Sequence, residues 1–352
     1  MSTSTVPTTT DSIHAFAAAE RGARLSLWEY APTLLAPHEC RVRVLACGVC
    51  HSDLHCIDDD WKVSRFPLVP GHEVVGEVVA VGDDVTHLVI GARVGVSWQC
   101  ASCGTCRDCQ RANENLCDDN KALIVDSYGG FADFVQVDAR WAFPLPDALE
   151  THLAGPLLCA GVTVYSSLRD AGMSNDGCRE QRIGVVGIGG LGHLAIQFAA
   201  KLGHRVTAFT TSPDKADFAR ELGAHETIIL PRDGSFAPPP SPDQRLDILL
   251  ITATADLDWA GALEHLDSDG ALSVASVPES DLQIPVMSLQ NKRRRVTGSN
   301  VGSRAVIAET LRIAAQHGIR PIVETFAMSD VNEALQRVRE NKVRYRAVLL
   351  NS

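Results

Sequence analysis

A glycine-rich turn between an apolar segment and a helical one restricts the fold of this chain more than any other feature. Residues 182–186 are largely apolar, Gly187-Ile-Gly-Gly-Leu-Gly192 follows, and residues 193–202 have a helical pattern that Gly203 ends. Glycines at this spacing permit a tight turn and let a pyrophosphate approach the N-terminus of the helix. The strand before and the helix after are the context that makes the motif informative. The predicted dinucleotide-binding residues are Gly187, Gly189, Gly190, Leu191 and Gly192.

Strand-like apolar segments alternate with helical ones through the rest of this half. The alternation is typical of a doubly wound parallel sheet with helices on both faces. One segment departs from it, because residues 232–244 hold four prolines that a regular helix does not accommodate, and a surface loop is predicted there. The further strands are predicted at residues 204–211, 226–230, 245–253, 271–277 and 295–299.

The end of the second predicted strand indicates which dinucleotide binds. An NAD site places an acid there, about 20 residues after the glycines, to hold the ribose hydroxyls. Here the sequence is Thr210-Thr-Ser-Pro-Asp-Lys215, in which Ser212 suits a helix N-cap before a proline. Hydroxyls, a helix N-terminus and a lysine favour an additional phosphate, and therefore NADP(H) over NAD(H). A plain capped helix with a solvated lysine, or Asp214 as the missing acid, are the alternatives. The residues predicted to hold the phosphate are Thr210, Thr211, Ser212 and Lys215.

Donors suited to a metal ion gather in the first half, between Cys47 and Glu73. Zinc binds cysteine sulfur, histidine nitrogen and carboxylate oxygen, and a catalytic zinc keeps one position open. Cys50 and His72 supply two such ligands, and Glu73 would supply a third or lie beside the metal. A redox dithiol of Cys47 and Cys50 is the alternative, although it would not need the adjacent histidine and glutamate. Cys159, in a glycine-flanked apolar run, is a candidate third ligand and equally a candidate core thiol.

Five cysteines crowd into residues 100–117. Two C-x-x-C steps and a further cysteine nearby predict a closed zinc site of four thiolates, which holds a loop in place and offers substrate no open position. The chosen ligands are Cys103, Cys106, Cys109 and Cys117. A shift of one step would bring in Cys100, and spacing alone does not decide between the two sets.

Length and composition limit the class of protein. A chain of 352 residues exceeds what one hydrophobic core usually serves, so two domains are predicted, with short strands at 40–47 and 73–81 in a β-rich first domain. The net charge of −11 argues against nucleic acid or an anionic membrane as a partner. Eleven cysteines, most of them in two clusters, suit metal thiolates in a reducing cytoplasm, and residues 1–10 lack the apolar core of a signal peptide.

In this order, the motifs resemble those of the zinc-dependent medium-chain alcohol dehydrogenases, and most closely their cinnamyl-alcohol-dehydrogenase and aldehyde-reductase branch. The resemblance covers nearly the whole chain, from about residue 12 to Leu350. The segments that carry it are Gly48-Val-Cys-His-Ser-Asp-Leu-His55, Gly71-His-Glu73, the four-cysteine loop, Pro156-Leu-Leu-Cys-Ala-Gly161, Gly187-Ile-Gly-Gly-Leu-Gly192 and Gly298-Ser-Asn-Val-Gly-Ser303.

The resemblance implies an α/β fold, with a GroES-like β-rich catalytic domain beside a Rossmann domain whose sheet is doubly wound and parallel. It implies a catalytic domain with two zinc sites at residues 1–155, an NADP-binding domain at 156–299 and a return to the catalytic domain at 300–352. It also implies a homodimer. The implied reaction transfers a hydride between NADP(H) and a small primary alcohol or aldehyde, aromatic and allylic ones included.

Roles for single residues follow from the same resemblance. Cys50, His72 and Cys159 would bind the catalytic zinc, with water or Glu73 completing the shell, and Asp53 would accept the second N–H of the imidazole. The other assignments are Ser52 and His55 to proton relay, Thr163 to the wall beside the nicotinamide, and His51 and Arg346 to the phosphate side.

Other functions stay open at this point. A polyol or secondary-alcohol dehydrogenase using NAD(H) would share the zinc ligands, whereas a zinc-free enone or quinone reductase would lack them. A zinc-storage protein would account for the four-cysteine loop but not for the glycine motif. Trp61, Trp98 and Gln99 are candidates for the substrate wall, although tryptophan in a β-rich domain more often belongs to the core.

Overall fold

The computed structural model describes residues 12–239, 241–278 and 280–351. The polar stretch at residues 1–10 and Pro240 of the proline-rich segment lie outside these ranges. The strands are β1 Ile13–Ala17, β2 Ser26–Tyr30, β3 Glu39–Val49, β4 Glu73–Val81, β5 Arg93–Val96, β6 Gln99–Ala101, β7 Lys121–Ala122, β8 Phe134–Asp138, β9 Ala142–Pro144, β10 Arg182–Val186, β11 Arg205–Thr210, β12 Glu226–Ile229, β13 Leu246–Ile251, β14 Leu266–Val274, β15 Arg295–Gly298, β16 Val323–Ala327 and β17 Arg346–Leu350.

Eleven α-helices are found among the described residues, and in that part of the chain none is long and apolar enough to cross a membrane. One turn of π-helix, Leu157–Gly161, separates the fourth helix from the fifth. The helices are α1 His51–Ile57, α2 Arg107–Gln110, α3 Leu123–Asp126, α4 Thr151–Pro156, α5 Val162–Asp170, α6 Gly192–Lys201, α7 Ala216–Glu221, α8 Trp259–Glu264, α9 Val286–Gln290, α10 Arg304–His317 and α11 Val331–Arg339.

The chain divides into two compact units. Unit 1 holds the described residues up to Cys159, with Ser303–Ala315 and the described residues from Pro321 onward, and unit 2 holds Ala160–Gly302 with Gln316–Arg320. The sequence predicted boundaries after residues 155 and 299. The first boundary lies a few residues later because α4 packs against β3 and β4 of unit 1, and the π-helical turn that follows carries Cys159 there too.

Unit 1 is built on a seven-stranded sheet in the order β16-β17-β3-β4-β5-β9, with β8 also paired to β3. The central strand β3 is long and rich in valine, and it pairs antiparallel with β4, β8 and β17. In this register Gly48 lies opposite both Glu73 of β4 and Val348 of β17. The C-terminal strand therefore runs beside the segment that holds the predicted metal ligands.

Unit 2 is a six-stranded, all-parallel sheet in the order β12-β11-β10-β13-β14-β15. Its central strands β10 and β13 are buried along nearly their whole length, as expected when helices cover both faces. The strand order reverses between β10 and β13, and open sheets of this kind bind ligands at the carboxyl ends of the strands at such a point. The predicted α/β class, a Rossmann sheet plus a GroES-like domain, is confirmed.

The proline-rich segment of unit 2 is irregular, as predicted. Its one regular feature among the described residues is a 3-10 turn, Pro242–Gln244. Phe236 anchors it, since its ring is buried against Phe209 and His265, at centroid distances of 5.8 and 5.6 Å.

Candidate active site

The connection from β3 to α1 carries the first predicted metal ligands. Cys50 is the extended residue before the helix, and its backbone N–H donates to Oδ2 of Asp53, at 2.8 Å. The other oxygen of Asp53 accepts from the backbone N–H of Gly71, also at 2.8 Å, and lies 3.1 Å from Nδ1 of His72. Asp53 is fully buried, so one carboxylate both caps the helix and orients the imidazole.

Cys50, His72, Glu73 and Cys159 converge in unit 1, with ligand atoms all within 4.8 Å of one another. The two sulfurs are 3.9 Å apart, and Nε2 of His72 lies 3.3 Å from the sulfur of Cys159. Zinc–sulfur bonds of about 2.3 Å in a tetrahedral site place two sulfurs about 3.8 Å apart. An imidazole that donates from Nδ1 keeps Nε2 free for a metal, so both the spacing and the tautomer fit zinc.

The charges of this group also fit a divalent cation. The hydrogen bond with Cys159 lowers the pKa of Cys50 well below the usual thiol value, and the same bond with Cys50 raises the pKa of Cys159 well above it. The opposite shifts mean that a single thiolate is favoured over two when no cation is near. A zinc ion would allow both to be thiolates, which is the form that binds metal.

Glu73 is fully buried between this group and the start of β17. One of its oxygens, Oε1, accepts from Nη2 of Arg346, while Oε2 has no hydrogen-bond partner among the described residues. Burial raises the pKa of the Glu73 carboxyl to about 7, and the Arg346 guanidinium opposes this rise. Gly48 is required here because a Cβ at that position would lie 1.9 Å from Oε2 of Glu73.

The predicted relay residues lie on α1, three residues apart. The Ser52 hydroxyl is 3.8 Å from the sulfur of Cys50, and so borders the group of ligands. Nδ1 of His55 is 2.8 Å from Oδ2 of Asp60, and its ring stacks on Trp61 at a centroid distance of 5.1 Å. The His55 side chain is 41% exposed, so it can exchange protons with solvent. The sequence did not indicate Asp60, because no motif predicts that its carboxylate contacts the imidazole of His55, five residues earlier.

Two of the three candidates for the substrate wall lie near the ligand histidine. The indole of Trp98 meets the His72 ring edge-on at 5.1 Å, and Trp61 meets Trp98 edge-on at 6.0 Å. Trp98 is half-buried and Trp61 is 38% exposed. Gln99 is buried, and its side-chain oxygen lacks a hydrogen-bond partner among the described residues. Trp61 and Trp98 therefore form the aromatic surface next to His72.

The second group of ligands is the four-cysteine loop of unit 1, where the sulfurs of Cys103, Cys106, Cys109 and Cys117 converge. The sulfurs of Cys103 and Cys109 are 3.9 Å apart, which again matches a tetrahedral zinc site. The backbone N–H groups of Thr105 and Cys106 donate to the sulfur of Cys103 and lower its pKa to about 6. Four sulfurs leave no open position.

Two other cysteines bear on the alternatives left open by the sequence. Cys100 is buried, its thiol donates to the carbonyl oxygen of Lys121 at 3.5 Å, and burial raises its pKa to about 12. It stands outside the group of four. Cys47 is fully buried, and burial raises the pKa of its thiol well above the usual value. Both behave as core thiols, and neither has the low pKa expected of a redox nucleophile.

The glycine turn of unit 2 has the shape of a phosphate site. A Cβ on Gly192 would lie 1.9 Å from the carbonyl oxygen of Gly187, so the helix can start this close to the strand only with glycine there. A Cβ on Gly189 would meet nothing within 4 Å, which leaves open space at the turn. The turn thus fits a dinucleotide pyrophosphate at the N-terminus of α6.

Residues at the end of β11 differ in part from the prediction. Ser212 precedes the turn as expected, but its side chain makes no cap hydrogen bond, and a 3-10 turn, Pro213–Lys215, precedes α7. The backbone N–H of Lys215 donates to the backbone carbonyl oxygen of Ser212 at 3.1 Å, which closes the 3-10 turn, and the N–H of Ser212 donates to Oγ1 of Thr210 at 3.1 Å. Lys215 does not extend into solvent, because its Nζ donates to the carbonyl oxygen of Ile188 in the glycine turn, at 3.0 Å.

The remaining predicted residues are placed as follows. His51 is the exposed first residue of α1, and Thr163 is the half-buried second residue of α5. Thr211 is exposed beside Thr210. Arg346 is buried against Glu73. The resemblance gave Arg346 to the phosphate side, and the contact that sequence reasoning missed is this ion pair, which joins residues 273 positions apart.

Comparison with known proteins gives two family matches. Residues 36–147 match the alcohol dehydrogenase GroES-like domain, and residues 190–316 match the zinc-binding dehydrogenase domain. An aldehyde reductase, AdhA, of Synechocystis sp. is 38% identical over 340 residues, covering 97% of this chain and 99% of the relative. A probable cinnamyl alcohol dehydrogenase of Oryza sativa is 37% identical over 316 residues, covering 88% and 85%.

Solved structures with the same fold include two cinnamyl-type enzymes. The cinnamyl alcohol dehydrogenase SbCAD4 of Sorghum bicolor has a TM-score of 0.86 and 34% identity, over 96% of this chain and 97% of the other. CAD from Helicobacter pylori, solved in complex with NADP(H), has a TM-score of 0.84 and 25% identity over the same shares.

Proposed function

The chain belongs to the zinc-binding alcohol dehydrogenase family, and from this premise we propose that it interconverts primary alcohols and aldehydes with NADP(H). The observation that carries the proposal is the open group of Cys50, His72 and Cys159, beside which Arg346 holds one oxygen of Glu73. Three donors and a restrained fourth are what a catalytic zinc needs if it is to keep a position for substrate. Relatives named aldehyde reductase and cinnamyl alcohol dehydrogenase support the substrate class.

Each residue around the metal position has a defined task. Zinc, when bound, would supply a Lewis acid for the carbonyl oxygen of the aldehyde. Asp53 fixes the tautomer and direction of His72, which keeps Nε2 aimed at the other ligands. Arg346 offsets the charge of Glu73 and holds its Oε1, which leaves only Oε2 free to approach a metal.

Proton transfer is proposed for the two polar residues of α1. The Ser52 hydroxyl borders the ligand group and is the nearer donor to the substrate oxygen. His55 replenishes that proton from solvent, and Asp60 together with Trp61 holds its ring in place. Asp60 thus acts through His55 as a positioning residue.

The preference for NADP(H) is proposed from the end of β11. A dinucleotide whose pyrophosphate is held at the glycine turn would supply or accept the hydride through its nicotinamide. Thr210 stands where an NAD site has an acid, so no carboxylate there repels a 2′-phosphate. Thr211, Ser212 and Lys215 follow within five residues and offer hydroxyls and an ammonium group to that phosphate. The similar Helicobacter pylori enzyme was solved with NADP(H).

We further propose two zinc ions per subunit and a homodimer. The zinc count is supported by the two separate groups of ligands in unit 1, one open and one closed. The dimer is proposed from the family resemblance alone, and sedimentation equilibrium on the zinc-loaded protein tests it.

A substrate panel tests the proposed reaction. The zinc-loaded protein is assayed with NADPH against aliphatic, aromatic and allylic aldehydes, a ketone and a ketose, with NADH in parallel. We expect the aldehydes to give the highest kcat/KM, at least about a hundredfold higher with NADPH than with NADH. A preference for the ketose with NADH would instead indicate a polyol dehydrogenase. Reduction of an enone double bond, with rates unchanged by a chelator, would contradict the zinc mechanism.

A further inference from the structure

A threonine outside every predicted motif contacts the glycine turn of unit 2. Thr252 is the residue after β13, and its hydroxyl oxygen lies 2.9 Å from the carbonyl oxygen of Val186 and 2.8 Å from that of Gly187. The hydroxyl carries one hydrogen, so it donates to one of these carbonyls or is shared between them. The backbone N–H of Thr252 also donates to Val186, at 3.0 Å.

Side chains hold the next two carbonyls of the turn as well. Nζ of Lys215 donates to Ile188, and Nδ1 of His193 lies 3.0 Å from the carbonyl oxygen of Gly189. Four consecutive carbonyls, Val186 to Gly189, therefore each face a side-chain polar group. Because each of these carbonyls contacts a side chain, the orientation of the peptide groups in the turn is fixed by its surroundings.

The direction of a carbonyl decides where the next N–H points. A trans peptide is planar, with its C=O and N–H on opposite sides, so fixing the Gly187 carbonyl fixes the N–H of Ile188 in the other direction. The Ile188 carbonyl fixes the N–H of Gly189 in the same way. Within the described ranges, neither of these N–H groups has a hydrogen-bond acceptor. Successive free N–H groups in a turn are the usual donors to a bound phosphate.

Tight packing makes this arrangement sensitive to Thr252. A Cβ on Gly192 would lie 3.0 Å from the Thr252 hydroxyl oxygen. A Cβ on Gly187 would lie 3.1 Å from the Cβ of Ala253. The start of α6, the turn and the end of β13 are therefore in direct contact. Removal of the hydroxyl would leave the Gly187 carbonyl oxygen without its donor, whereas the Val186 carbonyl would keep the backbone N–H of Thr252, and the Gly187–Ile188 peptide group could then rotate.

We propose that Thr252 is a positioning residue for the dinucleotide, whose hydroxyl holds the Gly187 carbonyl so that the Ile188 N–H faces the pyrophosphate. This inference rests on the proposed function, because it needs a dinucleotide at the glycine turn. It assigns Thr252 to binding alone. Since the pyrophosphate is common to NADPH and NADH, the residue affects both equally and does not choose between them.

The test compares two substitutions of Thr252 in the zinc-loaded, full-length protein. Thr252→Val keeps the shape and removes the donor, whereas Thr252→Ser keeps the hydroxyl. We expect Thr252→Val to raise the Kd of both NADPH and NADH about tenfold, as loss of one hydrogen bond predicts, and Thr252→Ser to stay within about twofold of wild type. The Kd is measured by quenching of protein fluorescence, and kcat at saturating NADPH should stay within about twofold.

Thr227→Val is the matched control, because the Thr227 hydroxyl also faces a carbonyl, that of Ala216 at 3.4 Å, but away from the glycine turn. The Kd of the Thr227→Val variant for NADPH and for NADH should equal that of wild type. If Thr252→Val does not fold, Thr252→Ala is measured by the same criteria. An unchanged Kd in the donor-free variant, or an equal rise in Thr252→Ser, overturns the inference while the proposed function stands. Failure of the wild-type protein to bind either dinucleotide overturns both.

Discussion

Arg346, the first residue of β17, donates through Nη2 to Oε1 of Glu73, the first residue of β4. Both side chains are buried, at 7% and 0% exposure. The ion pair joins the C-terminal strand to the segment that carries His72, so the last strand of the chain takes part in forming the metal position. Breaking a buried pair by removing one partner leaves an uncompensated charge and costs about 3–5 kcal/mol.

Arg346→Ala should therefore lower the free energy of unfolding by about 3 kcal/mol or more, because it strands the Glu73 carboxylate in the interior. Urea unfolding of the zinc-loaded protein measures the change. Lys342→Ala is the control, since Lys342 forms an exposed ion pair with Glu340 on the approach to β17 and should cost less than about 1 kcal/mol. Equal, small losses in both variants would show that the buried pair does not matter.

Zinc content should follow the two groups of ligands independently. Elemental analysis is expected to give two zinc ions per chain in wild type and one in Cys50→Ser, whose remaining fold is intact. Cys100→Ala should keep both ions, because the Cys100 thiol binds the Lys121 carbonyl and stands outside the four sulfurs. Loss of a zinc ion in Cys100→Ala would show that Cys100, and not one of the chosen four, is a ligand.

Ser52→Ala should slow turnover by about 10²-fold or more without loss of zinc, since general acid–base groups typically contribute about 10² to 10⁴-fold. His55→Ala should have the smaller effect, because its partly exposed position lets buffer supply the proton. Steady-state rates, with hydride transfer shown to be rate-limiting by deuterated NADPH, measure both. Added imidazole should restore His55→Ala but not Ser52→Ala. An unchanged rate in Ser52→Ala would remove this residue from the relay.

Wild-type kcat/KM with NADPH should exceed that with NADH by at least about a hundredfold, because hydrogen bonds to a charged phosphate contribute about 1.5–3 kcal/mol each. Thr210→Asp combined with Lys215→Ala should narrow or reverse the ratio. The single variant Lys215→Ala should also weaken the binding of NADH, since Lys215 holds the Ile188 carbonyl of the glycine turn. Comparable efficiency with both cofactors in wild type would falsify the phosphate pocket at residues 210–215.

Local patterns made much of the fold predictable. The strand, glycine turn and helix of unit 2 follow from composition and spacing over some twenty residues, and their parallel sheet is found as expected. The grouping of Cys103, Cys106, Cys109 and Cys117 likewise lies within one short loop. Such features depend on residues that are close together in the sequence, so their spacing alone indicates them.

Contacts between distant segments were not predictable in the same way. The pairing of Arg346 with Glu73 depends on β17 joining β3 at one particular register, which no local pattern specifies. Thr252 gave no signal because a threonine after a buried strand is common, and its role depends on where β13 lies beside β10. Ser212 occupies the N-cap position as predicted, but the absence of a cap hydrogen bond from its side chain was not predictable, because the 3-10 turn that pairs the Lys215 N–H with the Ser212 carbonyl depends on the folded backbone.

The most direct test of the account is the rate of aldehyde reduction by NADPH in Cys159→Ser, compared with wild type at equal dinucleotide saturation. Cys159 is the one proposed ligand that lies far in sequence from the other three, yet its sulfur is 3.9 Å from that of Cys50. Because a metal Lewis acid supplies several kcal/mol of transition-state stabilisation, kcat/KM should fall about 10³-fold or more, with one zinc ion lost and the Kd of NADPH unchanged. A variant that keeps both zinc ions and the wild-type rate would contradict the proposed zinc centre.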